Sequence, residues 1–280
     1  MRFGVSSYSF WHFRGEPYPL ENVLEDAKRM GFDGIEVLER QLGEDDSLAR
    51  LHRLRRQPLT LGLDIYAVST HQDFVYPDPE DRKKQIEQTI RSLEVAEALG
   101  AGCIRLNSGR WKTIKSFDDL MAANGQEPPL PGYTEEDAFG WVIDSIRALI
   151  PEAKKRGVIL GLENHWGLTY RAEGVKRIVN QIASPYMGVV LDTGNFKENM
   201  YEQMEELANL AVLVHAKTYL GGGEWYDLDI DYVRVGQILK RNGYKGYVSL
   251  EFEGKMDPQK AVPQSLDMLK RSLSQTAARS

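Results

Sequence analysis

Short apolar runs alternate with longer amphipathic stretches along this chain, and a Gly often closes a stretch before the next run begins. Runs of four to seven residues with β-branched character predict strands at 3–7, 34–37, 63–69, 103–106, 158–162, 187–191, 211–216 and 247–252. The stretches between and after them carry the 3.6-residue period of helices, at 20–30, 48–56, 79–99, 135–156, 171–182, 202–210, 232–242 and 261–274. End signals agree with the longer ones. Pro79 suits a first helical turn, and Gly31 and Gly100 suit left-handed caps. Thr134 followed by Glu135, Glu136 and Asp137 offers both a capping side chain and acidic residues for the N-terminal dipole.

Eight strand–helix units in 280 residues predict one closed (β/α)8 barrel, a TIM barrel. A doubly wound sheet shares the alternation and is the runner-up, but no G-x-G-x-x-G fingerprint follows the first strand. No break in composition marks a linker, so a single domain over 1–280 is expected. The connection at about 111–133 is rich in Pro, Gly and Asn and reads as a loop insertion after strand four, long enough to cover a site or touch a neighbouring copy.

Chemistry in such a barrel sits at the C-terminal strand ends, and there the polar residues of this chain fall. Strand five runs into Glu163-Asn164-His165, strand six ends in Asp192, strand seven reads Val214-His215-Ala216-Lys217, and strand eight reads Ser249-Leu250-Glu251-Phe252-Glu253. The period of two places Val248, Leu250 and Phe252 toward the helices, and Ser249, Glu251 and Glu253 inside. The same parity sends His215 and Lys217 inward on strand seven, and Glu163 and His165 inward on strand five. Three carboxylates and an imidazole thus converge, at a cost in like-charge repulsion that one divalent cation would relieve. Glu163, Asp192, His215 and Glu251 are the expected ligands. Their hard, oxygen-rich character suits Mn²⁺ first, with Mg²⁺, Co²⁺ or Zn²⁺ as alternatives. The competing reading is four unrelated polar strand ends, each solvated or ion-paired.

Composition narrows the classes. The 42% hydrophobic and 27% charged residues are those of an ordinary globular protein. The single Cys103 excludes an intramolecular disulfide and, with no secretory signal expected, favours a cytoplasmic setting. No apolar run approaches the roughly 18 residues of a membrane span. A net charge of −6 argues against general nucleic-acid binding. Homo-oligomer formation is left open.

The segments GLENH, VVLDTGN, LVHAKTY and SLEFEG, with the GVSSYSF opening and GFDGIEVLE, resemble the sugar phosphate isomerase/epimerase family of the xylose isomerase-like TIM barrels. Relatives there include ketose 3-epimerases, inosose dehydratases and isomerases, and lyases that cleave 3-keto-glycosides. The resemblance implies that Glu163, Asp192, His215 and Glu251 hold a metal and that Glu163 and Glu251 are also an acid/base pair. It implies a sugar or cyclitol substrate deprotonated next to its carbonyl through a metal-stabilised enediolate. Epimerisation, isomerisation and elimination share that intermediate; a 3-keto-glycoside lyase or inosose dehydratase with His165 as base is the alternative, and a non-catalytic sugar-binding barrel a third. Asn195 stands where many epimerases carry His, three residues after the strand-six Asp, which weakens transfer of their substrate contacts. Endonuclease IV shares the superfamily, but its zinc cluster needs more than this chain's five histidines.

Other residues are expected around the mouth. His71 is a candidate hydroxyl contact or proton shuttle. Glu36 is either a substrate contact or the partner of Arg105 in a buried ion pair. Lys217 is a candidate either to polarise a substrate oxygen or to neutralise a carboxylate. Arg105, Asn107, Asn195, Trp166 and Trp11 complete the substrate candidates, with Phe13 and Trp111 on loops at the same end. His12 is also expected near the mouth. Gly221-Gly222-Gly223 is either a phosphate cradle or a flexible loop, so an unphosphorylated sugar stays open.

Overall fold

The structure, a computed structural model, describes residues 1–43 and 45–274. Eight parallel strands close in sequence order: β1 (Arg2–Ser6), β2 (Gly34–Leu38), β3 (Asp64–Ser69), β4 (Cys103–Leu106), β5 (Ile159–Glu163), β6 (Met187–Asp192), β7 (Ala211–Thr218) and β8 (Tyr247–Phe252), with β8 pairing back to β1. The connecting helices are α1 (Leu20–Met30), α2 (Leu48–Leu61), α3 (Pro79–Leu99), α4 (Phe117–Ala122), α5 (Glu135–Arg156), α6 (Ala172–Ile182), α7 (Met200–Leu207) and α8 (Tyr232–Arg241), and α9 (Pro258–Ser274) follows the last strand. The barrel, not the doubly wound sheet, is the fold.

Two departures from the predicted elements have local causes. The helix expected to stop at 56 runs on to Leu61 through Pro58, although Pro there lacks the N–H for an intrahelical bond. Leu51, Leu54 and Pro58 are buried on one face, and that burial carries the helix past the break. The insertion between β4 and α5 contains α4, begun by Ser116, whose side chain accepts from Asp119 N–H. At α5 the expected capping is present in full: Thr134 accepts from Asp137 N–H while Asp137 accepts from Thr134 N–H.

The barrel interior changes character along its axis. A small apolar layer of Ala67, Cys103, Val190 and Leu213 fills the inside below the site, flanked by Tyr66, Ile159, Val212 and Tyr247. Two residues further along the same strands, inward positions become Ser69, Arg105, Asp192 and His215. The larger apolar core lies outside, between strands and helices, and includes Val248, Leu250 and Phe252 as their parity predicts. Two register shifts adjust the inner wall. Tyr66 is an extra residue on β3 against β2, and Val212 an extra residue on β7 against β6. Glycines make room for both: a Cβ on Gly4 would run into Tyr66, and one on Gly188 into Val212. After the second shift Asp192 and His215 are register partners, as are Lys217 and Glu251. Among the described residues, no helix is long and apolar enough to cross a membrane.

Candidate metal centre

Glu163, Asp192, His215 and Glu251 are all buried, and one ligand atom from each lies within 4.8 Å of the others. His215 Nδ1 faces the group, 3.1 Å from Glu163 Oε1, 3.4 Å from Glu251 Oε1 and 3.8 Å from Asp192 Oδ2. Its Nε2 points away, 3.0 Å from both oxygens of Glu36. Glu36 is completely buried beneath the histidine and also accepts from the hydroxyls of Ser69 and Ser249, the latter at 2.7 Å and itself accepting from Tyr66. It neither reaches the mouth nor pairs with Arg105, the two alternatives expected for it. A carboxylate bound to Nε2 selects the tautomer whose Nδ1 lone pair is free to bind a cation. Glu36→Gln is therefore expected to weaken divalent-ion affinity by about 10–100-fold, the usual effect of losing such an outer partner. Calorimetric titration with Mn²⁺ checks this, and unchanged affinity would remove Glu36 from the centre.

Each flanking glutamate keeps one oxygen toward the shared volume while a cation holds the other. Glu163 Oε2 accepts from Arg105 Nη1 at 3.0 Å and Asn107 Nδ2 at 3.1 Å, and the same Arg105 nitrogen donates to Asn107 Oδ1 at 2.9 Å. Glu251 Oε2 accepts from Lys217 Nζ at 2.9 Å. Lys217 also donates to Glu253 at 2.7 Å and lies 3.4 Å from Asp192 Oδ2, so its ammonium serves three carboxylates. Asp192 is oriented by Gly194 N–H, which donates to Oδ1 at 2.7 Å, and a Cβ on Gly194 would collide with the Lys217 stem. Asn164 clamps β5 to β6 through the Asp192 backbone, accepting from its N–H at 2.7 Å and donating to its C=O at 2.9 Å.

The remaining expected residues divide. His71, Arg105, His165, Trp166, Phe13 and Lys217 line one cavity with Glu163 and Glu251, of about 440 Å³. Asn107 stands behind Glu163, and Asn195 is tied to Asn164 C=O at 3.0 Å and Tyr226 OH at 3.1 Å; neither lines the cavity. Trp11 turns aside, donating from its ring N–H to Gly15 C=O and packing on Phe13, while Trp111 is buried against Trp141. His12 is buried too, with Nε2 2.6 Å from Phe252 C=O. The triple-glycine loop is folded onto the exit of β8: Gly222 N–H donates to Tyr219 C=O, Lys255 N–H donates to Gly222 C=O, and Gly223 bridges Gly254. Of the three glycine amides, that of Gly222 is therefore already engaged within the loop. Glu253, Tyr8, Phe117, Trp225 and Tyr226 line the cavity without having been singled out. Strand parity signalled only Glu253.

Electrostatics follow from the crowding. Burial opposes ionisation of Glu163, yet Arg105 and His215 hold it well below the usual carboxylate range. Glu251 is likewise lowered against its burial, by His215 and Lys217. Asp192 is pushed up to about 7 by burial and by the charges of Glu163 and Glu251, with Lys217 opposing. Burial works against a charge on His215, but Glu251, Glu36 and Glu163 raise its pKa well above the usual value. His165 is held down to about 4 and His71 down to about 2, both mainly by burial, so both rings are neutral near pH 7.

Among the described residues, five buried carboxylates, Glu36, Glu163, Asp192, Glu251 and Glu253, face the buried cations Arg105 and Lys217 and the imidazole of His215. Asp192 Oδ2 is buried without a hydrogen-bond partner. An oxygen-rich donor set, a buried carboxylate oxygen with no hydrogen bond and excess negative charge fit a divalent cation. The cluster can hold a metal ion.

Comparison with known proteins agrees with this architecture. The model of the family described as xylose isomerase-like TIM barrel matches residues 24–272. Comparison with curated proteins gives no match. Among solved structures, L-ribulose 3-epimerase is similar at a TM-score of 0.80 and 18% identity, covering 99% of this chain and 95% of that one. D-psicose 3-epimerase from Clostridium cellulolyticum H10, solved with D-tagatose, superposes at 0.77 with 17% identity, over 98% and 99% of the two chains. 3-Keto-D-glucoside 4-epimerase from E. coli does so at 0.76 with 19% identity, over 97% and 99%. At these identities the likeness is one of fold, and the family match over most of the chain is the stronger finding. The chain belongs to the xylose isomerase-like TIM-barrel family.

Proposed function

We propose that this protein is a metal-dependent sugar epimerase or isomerase that moves a proton at a carbon next to a carbonyl. The observation that carries the reading is the paired placement of Glu163 and Glu251, each with one oxygen turned to a common centre and the other held by a cation. A divalent ion bound by Glu163, Asp192, His215 and Glu251, Mn²⁺ by the hardness of the donors, supplies positive charge where an oxyanion develops. Both glutamates are ionised at neutral pH and ready to accept a proton. With a substrate carbon between them, one removes the proton and the other returns it to the opposite face, which inverts that carbon. Return to the neighbouring carbon gives isomerisation. Arg105 and Asn107 fix Glu163, and Lys217 fixes Glu251, so neither carboxylate has to reorganise during transfer. With its donors spread over three carboxylates, Lys217 is a positioning residue here, not the group that polarises substrate.

Elimination is the second reading, favoured by His165, which lines the same cavity with Nε2 4.0 Å from Glu163 Oε2. A panel of ketoses and 3-keto-glucosides in D₂O with Mn²⁺, followed by ¹H NMR, separates the two. An epimer carrying solvent deuterium next to the carbonyl is the expected product. Loss of the β-substituent supports elimination, and a panel unchanged throughout contradicts both.

A further inference from the structure

We propose that the mouth of the cavity is a second, aromatic subsite that takes a ring joined to the reacting sugar, so that the preferred substrate is a glycoside of two rings. This rests on the proposed function only in seating the sugar at the carboxylates. Of the seven large apolar or aromatic side chains exposed among the described residues, three, Phe13, Phe117 and Trp225, line this one cavity. They come from distant parts of the chain: the segment after β1, helix α4 of the insertion, and the segment after β7. Phe117 meets Trp225 at 5.7 Å and 68° between ring planes, and Trp166 at 6.0 Å and 80°. Such edge contacts join Phe117, Trp225 and Trp166, and Tyr8, which packs on Phe13 and accepts from Trp225, links Phe13 to them in one rim.

The rim is built, not incidental. Trp225 donates its ring N–H to Tyr8 OH at 3.0 Å. Phe13 is carried by two consecutive non-Gly residues with left-handed backbone, His12 at φ 53° and Phe13 at φ 57°. That conformation costs energy and is retained where surrounding contacts enforce it. Here His12 is pinned to the Phe252 carbonyl, and the Phe13 ring packs on Tyr8 and against His71. Polar groups that would read sugar hydroxyls line the same cavity from the strands, Arg105, Glu163, Lys217 and Glu251, and from just beyond strand ends, His71 and His165. A volume of about 440 Å³ falls within the roughly 300–1,000 Å³ of pockets that enclose drug-sized molecules, which leaves room beyond one pyranose. Flat ring faces, whether of a sugar or an aromatic aglycone, are what exposed Trp and Phe bind by stacking.

The test is equilibrium binding by ligand-observed NMR with three unreactive probes: glucose, cellobiose and phenyl β-D-glucoside. Wild type is expected to bind at least one two-ring probe about tenfold more tightly than glucose, and the better of the two identifies the second ring as sugar or arene. Phe117→Ala and Trp225→Ala should each remove most of that preference and leave glucose binding within about twofold, with the thermal unfolding midpoint of each variant recorded beside it. Equal affinity for all three probes, or a preference untouched in both variants, overturns the subsite. Preferential binding of a two-ring probe, with no deuterium exchange anywhere in the ketose and 3-keto-glucoside panel, would overturn the proposed reaction and leave the subsite standing.

Discussion

Glu163→Gln and Glu251→Gln are each expected to lower epimerisation by about 10²–10⁴-fold, the contribution of one well-placed general acid or base. The amide keeps the size of the side chain and an oxygen toward the centre, so much of the geometry survives. What is lost is the proton acceptor. The two substitutions should also differ in an informative way. If each glutamate serves one face of the substrate carbon, each single variant loses solvent exchange from one epimer and retains exchange from the other. Deuterium wash-in followed separately for the two epimers reads this directly. A fall of less than tenfold in both variants, or identical residual exchange, would contradict a two-carboxylate mechanism.

The second large effect concerns Asp192. Its Oδ1 is held by Gly194 N–H and its Oδ2 is buried with no hydrogen-bond partner, so the side chain is already oriented toward the centre. Asp192→Ala removes a direct ligand and should cost more metal affinity than the about 10–100-fold typical of an outer partner, with turnover falling to background. Chelation of the wild type should have the same consequence and be reversed by added Mn²⁺. A pH dependence follows with a defined sign. In the metal-free chain Asp192 holds a proton up to about 7, chiefly because of burial, and His215 holds its proton well above the usual imidazole range. Both protons must leave for these groups to act as ligands, so ion binding releases protons and tightens as pH rises. Titrations at about pH 6 and about pH 8 should show weaker Mn²⁺ binding at the lower value.

The barrel was legible in the sequence because its signal is repeated eight times, and strand ends and helix caps such as Thr134 and Gly100 restate it locally. The centre was legible for a related reason: Glu163, Asp192, His215 and Glu251 interrupt apolar strands at one end, and strand parity turns them inward. Parity has no depth coordinate, however. It placed Glu36 inside but could not tell that the β2–β3 register shift sets it below His215, saturated by Ser69, Ser249 and the imidazole. An ion pair with Arg105 was one of two readings of Glu36, whereas the closed barrel presents Arg105 to Glu163. Loop residues were least readable, because their direction depends on backbone conformation. Left-handed backbone at His12 and Phe13 sends Phe13 to the cavity and Trp11 away from it, and nothing in the local residue pattern announces that turn. Trp225 and Phe117 were invisible for the same reason; each becomes part of the site only once separate loops meet.

Elemental analysis of the purified protein after Mn²⁺ loading and removal of free ion tests the central claim most directly. One divalent ion per chain, absent from the Asp192→Ala variant at an unchanged unfolding midpoint, is the predicted result. A folded wild type that retains no stoichiometric metal would contradict it.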